Sequence, residues 1–195
     1  MRARVLCAVA LAAAASACSS SKSSSSSPPA TTAAPTTTTL PPVSAQGFTS
    51  VLPPDWTNKT QDTTAISQVA PTSGTNGTAI LLLQPNATAN GLVGHISVNI
   101  APQPVADADI PAYLQSAGSH GATNLSTPVA KTIAGASGFE ITYTVTQADG
   151  TTTKNDDIVV NHGGQTYDVI YDVPTPQFDS LHSALDLLLT NWAWT

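Results

Sequence analysis

From about residue 45 onward, apolar and polar side chains alternate in a way that predicts a strand-rich fold with two helices. Residues 48–52 read as a short strand that Pro53-Pro54 stops, with Trp56 just after. Ile80-Leu81-Leu82-Leu83, within residues 78–84, reads as a buried strand. The run His95, Ile96, Ser97, Val98, Asn99, Ile100 alternates strictly and puts three apolar residues on one face. Asp109-Ile110-Pro111 opens a helix through about residue 117, since Asp is a good cap and Pro suits the first turn; Gly118 and Gly121 end it. Residues 140–147 alternate again, with Ile141, Tyr143 and Val145 on one face and three threonines on the other. Asp149-Gly150 is a hairpin turn leading into a strand over 157–161. His162-Gly163-Gly164 then turns into a strand over 166–173 that shows Tyr167, Val169, Tyr171 and Val173 on one face. The closing helix carries Phe178, Leu181, Leu185, Leu188 and Trp192 at intervals of 3, 4, 3 and 4, a stripe that must face a sheet. Hairpin-linked strands with helices set apart from them give an α+β class on a mainly antiparallel sheet.

The first 44 residues follow another pattern. Arg2 and Arg4 precede an apolar run over residues 5–15, and Ser16-Ala17-Cys18 follows. A basic start, a short apolar run and small residues before a cleavage point read as a secretory signal over residues 1–17. The run is too short to span a bilayer core of about 30 Å as a helix. Ala15-Ser16-Ala17-Cys18 resembles the bacterial lipobox, with Ala where Leu is usual. That resemblance implies cleavage before Cys18 and diacylglycerol on its thiol, two acyl chains that anchor a protein stably where one does not. Residues 18–44 then comprise the lipidated cysteine and a tether. The tract 19–42 is almost wholly Ser, Thr, Pro and Ala, too poor in apolar side chains to offset chain entropy, and is expected to be disordered. Extended, it would reach roughly 70 Å. Ser/Thr tracts with Pro are also typical of O-glycosylated stalks. Residues 45–195 make one domain, long enough to bury one core.

Charge narrows the partners. Without residues 1–17 the chain keeps Lys22, Lys59, Lys131 and Lys154, no arginine, and all twelve acids, so its formal charge is 4 − 12 = −8. This argues against nucleic acid, which demands a basic patch, and against a bidentate arginine clamp on phosphate or carboxylate. Cys18 is the sole cysteine after cleavage, so neither a disulfide nor a thiolate metal site forms within one chain.

A lipobox cysteine on a Ser/Thr/Pro tether leads to Phe48…Leu52-Pro53-Pro54-Asp55-Trp56. Gly138-Phe139-Glu140-Ile141-Thr142-Tyr143, Gly164-Gln165-Thr166-Tyr167-Asp168-Val169 and an apolar closing helix follow. This order resembles the actinobacterial, mycobacterial-type LpqN/LpqT lipoprotein family, and more distantly the PsbP-like fold, over most of residues 46–195. The resemblance implies an α/β/α sandwich around an antiparallel sheet and a non-enzymatic envelope protein. Such a protein is exported to the outer face of the cell membrane, and binds a glycolipid or an envelope transporter or meets host proteins. The chain has no obvious extra helix between tether and first strand.

Motifs for covalent or cofactor chemistry are missing. Gly135-Ala136-Ser137-Gly138 misses the spacing of a nucleophile elbow, and there is no Walker loop, dinucleotide fingerprint or His-Glu-x-x-His. His95, His120, His162 and His182 are scattered, with His182 expected on the exposed face of the last helix. No catalytic residue, metal or cofactor is therefore expected. If His162-Gly163 is the turn, Asp157 faces Asp168 across the hairpin, an arrangement that destabilises a sheet and that a bound Ca²⁺ would explain. If Gly163-Gly164 is the turn, the register shifts and the pair is expected to vanish; a solvated face is the preferred reading. Four Asn-x-Ser/Thr matches, at Asn58, Asn76, Asn86 and Asn124, carry no weight in so Thr/Ser-rich a chain.

Ten aromatic residues must serve mostly as core. Tyr143, Tyr167 and Tyr171 are candidates to line a ligand pocket between sheet and helix, their hydroxyls reaching polar groups. Trp194 lies two residues beyond the helix stripe, as an exposed contact or a lid over the sheet edge. The expected function is a lipid-anchored envelope protein that binds a lipid, a glycolipid or a transport partner. The alternatives are an adhesin or antigen contacting other cell surfaces, and a hydrolase whose Ser, His and Asp converge only in space.

Overall fold

The computed structural model describes residues 39–69, 77–84, 94–116 and 120–195. The signal, Cys18 and most of the tether lie outside these residues, as do Gly118, Asn76 and Asn86. Eleven strands, β1 (Pro42–Ala45), β2 (Phe48–Val51), β3 (Thr57–Asn58), β4 (Thr78–Leu83), β5 (His95–Ile100), β6 (Ala122–Thr123), β7 (Val129–Ile133), β8 (Ala136–Thr146), β9 (Thr152–His162), β10 (Gln165–Pro174) and β11 (Ala193–Trp194), accompany three helices, α1 (Thr63–Val69), α2 (Ile110–Gln115) and α3 (Phe178–Thr190).

Eight strands form one sheet in the order β3-β4-β5-β10-β9-β8-β6, with β7 also paired to β8, and every pairing is antiparallel. The fold is thus α+β on an antiparallel sheet, as expected, with α3 against one face and α2 against the other. β1, β2 and β11 form a second, three-stranded sheet that the sequence pattern did not reveal. It packs beside α3, and the Ser50 hydroxyl donates to the Leu188 carbonyl at 2.5 Å.

Several elements differ from expectation. β1 begins three residues before residue 45, because Pro42–Ala45 pairs along its whole length with β2. α1 and β7 were not anticipated, and Ala134-Gly135 is the tight turn between β7 and β8. α2 follows a 3-10 turn at Asp107–Asp109, and Asp109 makes no side-chain capping bond. α3 ends at Thr190, so Trp192 lies beyond the helix yet still joins its apolar stripe in the core.

The α3 face is closely filled. Ile96, Val98, Ile158, Val169, Tyr171, Leu185 and Leu188 are each wholly inaccessible to solvent. Phe48 stacks on Trp192 with ring centroids 3.9 Å apart, and Tyr167 meets both rings edge-on.

Candidate functional site

The opposite face of the same sheet is buried as well, but much of it is polar. Strand pairing places its residues in rows. Leu81, Ser97, Ile170, Asp157 and Ile141 run across β4, β5, β10, β9 and β8, followed by a row of Leu83, His95, Asp172, Asn155 and Tyr143. On the other side lies a row of Asn99, Asp168, Val159 and Phe139. His95, Ser97, Asn99, Asn155, Asp157, Thr166 and Asp168 are all buried, Asn99 at 0% exposure. Half-buried antiparallel strands normally turn such polar positions to water. Here the polar alternation lies on central strands of a sheet covered on both sides.

α2 covers the apolar half of this face. Ile110 and Leu114 pack on Ile141 and Val159, with Tyr113, Phe139 and Tyr143 around them. A polar latch holds the segment that leads into α2. Thr166 accepts from the Val105 amide at 2.8 Å and donates to Asn161, which in turn donates to the Val105 carbonyl and to Asp107.

The polar half is electrostatically loaded. Gly163 and Gly164, both at positive φ, form the β9–β10 turn. The pairing then sets Asp157 opposite Ile170 and Asp168 opposite Val159. The expectation that this register separates the two acids is corrected: they stay on one face as diagonal neighbours, near enough for each to act on the other's titration. The solvated-face reading is corrected too, because both are buried. Burial, reinforced by the charge of Asp168, pushes the Asp157 carboxyl well above the ordinary carboxylate range. Burial also raises Asp168, opposed by hydrogen bonds from Asp157 and from Tyr113, whose hydroxyl donates to Asp168 Oδ2 at 3.1 Å. Desolvation raises Asp172 and lowers His95, and the attraction between this pair opposes both shifts.

Four oxygens on this face have no hydrogen-bond partner: Asn99 Oδ1, Asp157 Oδ1, Asp168 Oδ1 and Asp172 Oδ1. All four accept and none donates, apart from a proton that an acid itself holds. Leaving such buried groups unmade costs about 1–3 kcal/mol each.

The aromatic residues predicted to share a pocket are divided by the sheet. Tyr167 and Tyr171 lie on the α3 face, where the Tyr171 hydroxyl donates to the Phe178 carbonyl at 2.8 Å. Tyr143 lies on the polar face, and burial followed by the charge of Asp157 pushes its hydroxyl far up. Trp194 is half-buried at the sheet edge, stacked on His162 at 4.2 Å and donating to the Ile133 carbonyl at 3.3 Å.

A separate open cleft of about 310 Å³ gathers Ser126, Glu140, Asp156, Phe178 and His182. His182 is less exposed than expected, because it packs on Tyr171 and Phe178. Its Nε2 lies 3.2 Å from Asp156 and its Nδ1 3.3 Å from Asp186. Both ring nitrogens are thus engaged by carboxylates. The Ser126 hydroxyl accepts from the Thr142 amide at 2.9 Å. Burial, with the nearby charge of Glu140, pushes Asp156 up to about 6.

No protein-family profile and no characterised sequence matches this chain. Among solved structures, the crystal structure of LpqN, involved in cell envelope biogenesis of Mycobacterium tuberculosis, is similar with a TM-score of 0.54 and 13% identity, covering 80% of this chain and 90% of LpqN. The solution structure of cyanobacterial PsbP from Synechocystis sp. PCC 6803 is similar with a TM-score of 0.44 and 13% identity, covering 80% of this chain and 92% of that protein. The likeness to LpqN establishes a common fold.

Proposed function

We propose that this chain is an exported, LpqN-type envelope lipoprotein, anchored through Cys18, that binds the polyhydroxyl head group of an envelope glycolipid without altering it. The four donorless oxygens on the polar face carry this reading. Sugar hydroxyls donate hydrogen bonds to such acceptors, and Tyr113 and Tyr143 border the same face. The absence of arginine from residues 18–195 and their formal charge of −8 disfavour a phosphate head group. The filled α3 face supports recognition of a head group rather than of an acyl chain, since Tyr171 and Leu185 occupy the space between sheet and helix. Sharing a fold with a protein of cell envelope biogenesis supports the setting.

The test is calorimetric titration of the mature chain, with Cys18→Ser, by a water-soluble neutral glycolipid and by a phosphatidylglycerol of matched chain length. Saturable binding of the glycolipid, weakened at least tenfold by Asp172→Ala, supports the proposal. Equal binding of both lipids, or of neither, overturns it.

A further inference from the structure

We propose that Asp157, Asp168 and Asn99 form a buried site for a hard divalent cation, with Ca²⁺ as the best match. Asn99 pairs directly with Asp168 across β5 and β10, and Asp168 is the diagonal neighbour of Asp157 across β10 and β9. All three side chains therefore stand on one face of adjacent strands. Each has an oxygen, Oδ1, that is buried and has no partner. The Asn99 amide nitrogen donates to Ser97 Oγ at 3.3 Å, which commits that end of the side chain and leaves its carbonyl for a ligand.

Two carboxyl groups in contact inside a protein require a positive charge or a proton. The described lysines lie elsewhere: Lys59 on Asp62, Lys131 on Glu140 and Lys154 over the Phe178 ring. His95 pairs electrostatically with Asp172 instead. Among the described residues no three carboxylate, imidazole or thiolate groups converge; the proposed set has two carboxylates and takes its third donor from the unpartnered Asn99 amide oxygen. Two carboxylates and an amide carbonyl are an all-oxygen set, which suits Ca²⁺ rather than Zn²⁺. Ca²⁺ also tolerates irregular geometry better than Mg²⁺, which demands a near-ideal octahedron.

Asn99, Asp157 and Asp168 also supply three of the four acceptors of the head-group reading, so a bound ion and sugar hydroxyls would compete for them, and the test therefore uses metal alone. The mature Cys18→Ser chain, stripped with a chelator, is titrated with CaCl₂ at pH 7.5 without lipid, and melting is followed by calorimetry. The expected result is a melting point that rises by several degrees at millimolar Ca²⁺ and returns on adding chelator. Asp168→Asn abolishes the rise. Asn99→Ala, which keeps both acids, weakens Ca²⁺ at least tenfold and serves if Asp168→Asn does not fold. A Ca²⁺-independent wild-type melting point overturns the proposal, and so does a rise that persists in Asn99→Ala. The first result would assign the pair a shared proton; the second would assign the ion to the acidic surface.

Discussion

Asp157 and Asp168 sit diagonally across the β9–β10 hairpin, on one buried face. Side chains repeat every two residues along a strand, so the turn fixes which residues share a face. A register with Asp157 opposite Ile170 still leaves both acids on the same side. The pair lies beneath the cover that Tyr113 helps to provide.

Tyr113→Phe removes the hydroxyl that donates to Asp168 Oδ2 while keeping the ring against the apolar half of the face. The expected loss is about 1–3 kcal/mol of unfolding free energy in urea. A loss below the precision of the measurement would show that this bond does not hold α2 to the floor.

His95 is buried, and desolvation holds its pKa below the ordinary value despite the opposing charge of Asp172. The folded state therefore takes up the imidazole proton at lower pH than the unfolded chain. Its contribution to stability is present above pH 6.5 and is lost as pH falls below that value, at a slope of up to about 1.4 kcal/mol per pH unit. Asp172, which is raised, acts in the opposite sense. Comparing wild type with His95→Gln between pH 7 and 5 reads the histidine together with its effect on Asp172, and the wild type should lose ground to the variant over that range. Parallel pH profiles would contradict the assignment.

Gly138 faces Val160 where β8 and β9 approach closely, and a Cβ there would run into the Val159 carbonyl oxygen, a backbone atom that cannot swing aside. Gly138→Ala should destabilise by roughly 1–3 kcal/mol or more. Thermal unfolding checks this, and a Gly138→Ala variant as stable as the wild type would contradict the close approach.

Trp192 stacks on Phe48, yet its buried indole N–H has no partner. Trp192→Ala should cost about 3–5 kcal/mol. Trp192→Phe keeps an aromatic ring and deletes the unsatisfied donor, so it should cost less than half as much in chemical denaturation. Equal losses would mean that the N–H has a partner in solution.

The α3 face was legible in the sequence because apolar residues recur there at strand and helix periods: Ile96, Val98 and Ile100 on β5, Tyr167 to Val173 on β10, Phe178 to Leu188 on α3. The three-stranded sheet was not, because β11 has two residues and pairs with β2 from the far end of the chain. Propensity over two residues carries no signal, and the Ser/Thr/Pro composition before residue 42 masks β1. The polar face was misread for a different reason. His95, Ser97 and Asn99 alternate with apolar neighbours as a solvent-facing set would. The signal that could have corrected this was the helix at Ile110 and Pro111: a second helix layer implies two covered faces, and polar positions on central strands then become a buried floor. Tyr143 and Tyr167 were grouped as aromatics of one pocket, although they belong to strands two apart in the sheet and face opposite ways.

Glycolipid binding is read most directly by native mass spectrometry of the lipidated mature protein, released in mild detergent from the envelope of an actinobacterial host. The expected result is a stoichiometric neutral glycolipid bound to the wild type and lost in Asp172→Ala, with the fold retained by circular dichroism. A clean mass for the wild type, or a phospholipid bound equally to both proteins, would contradict it.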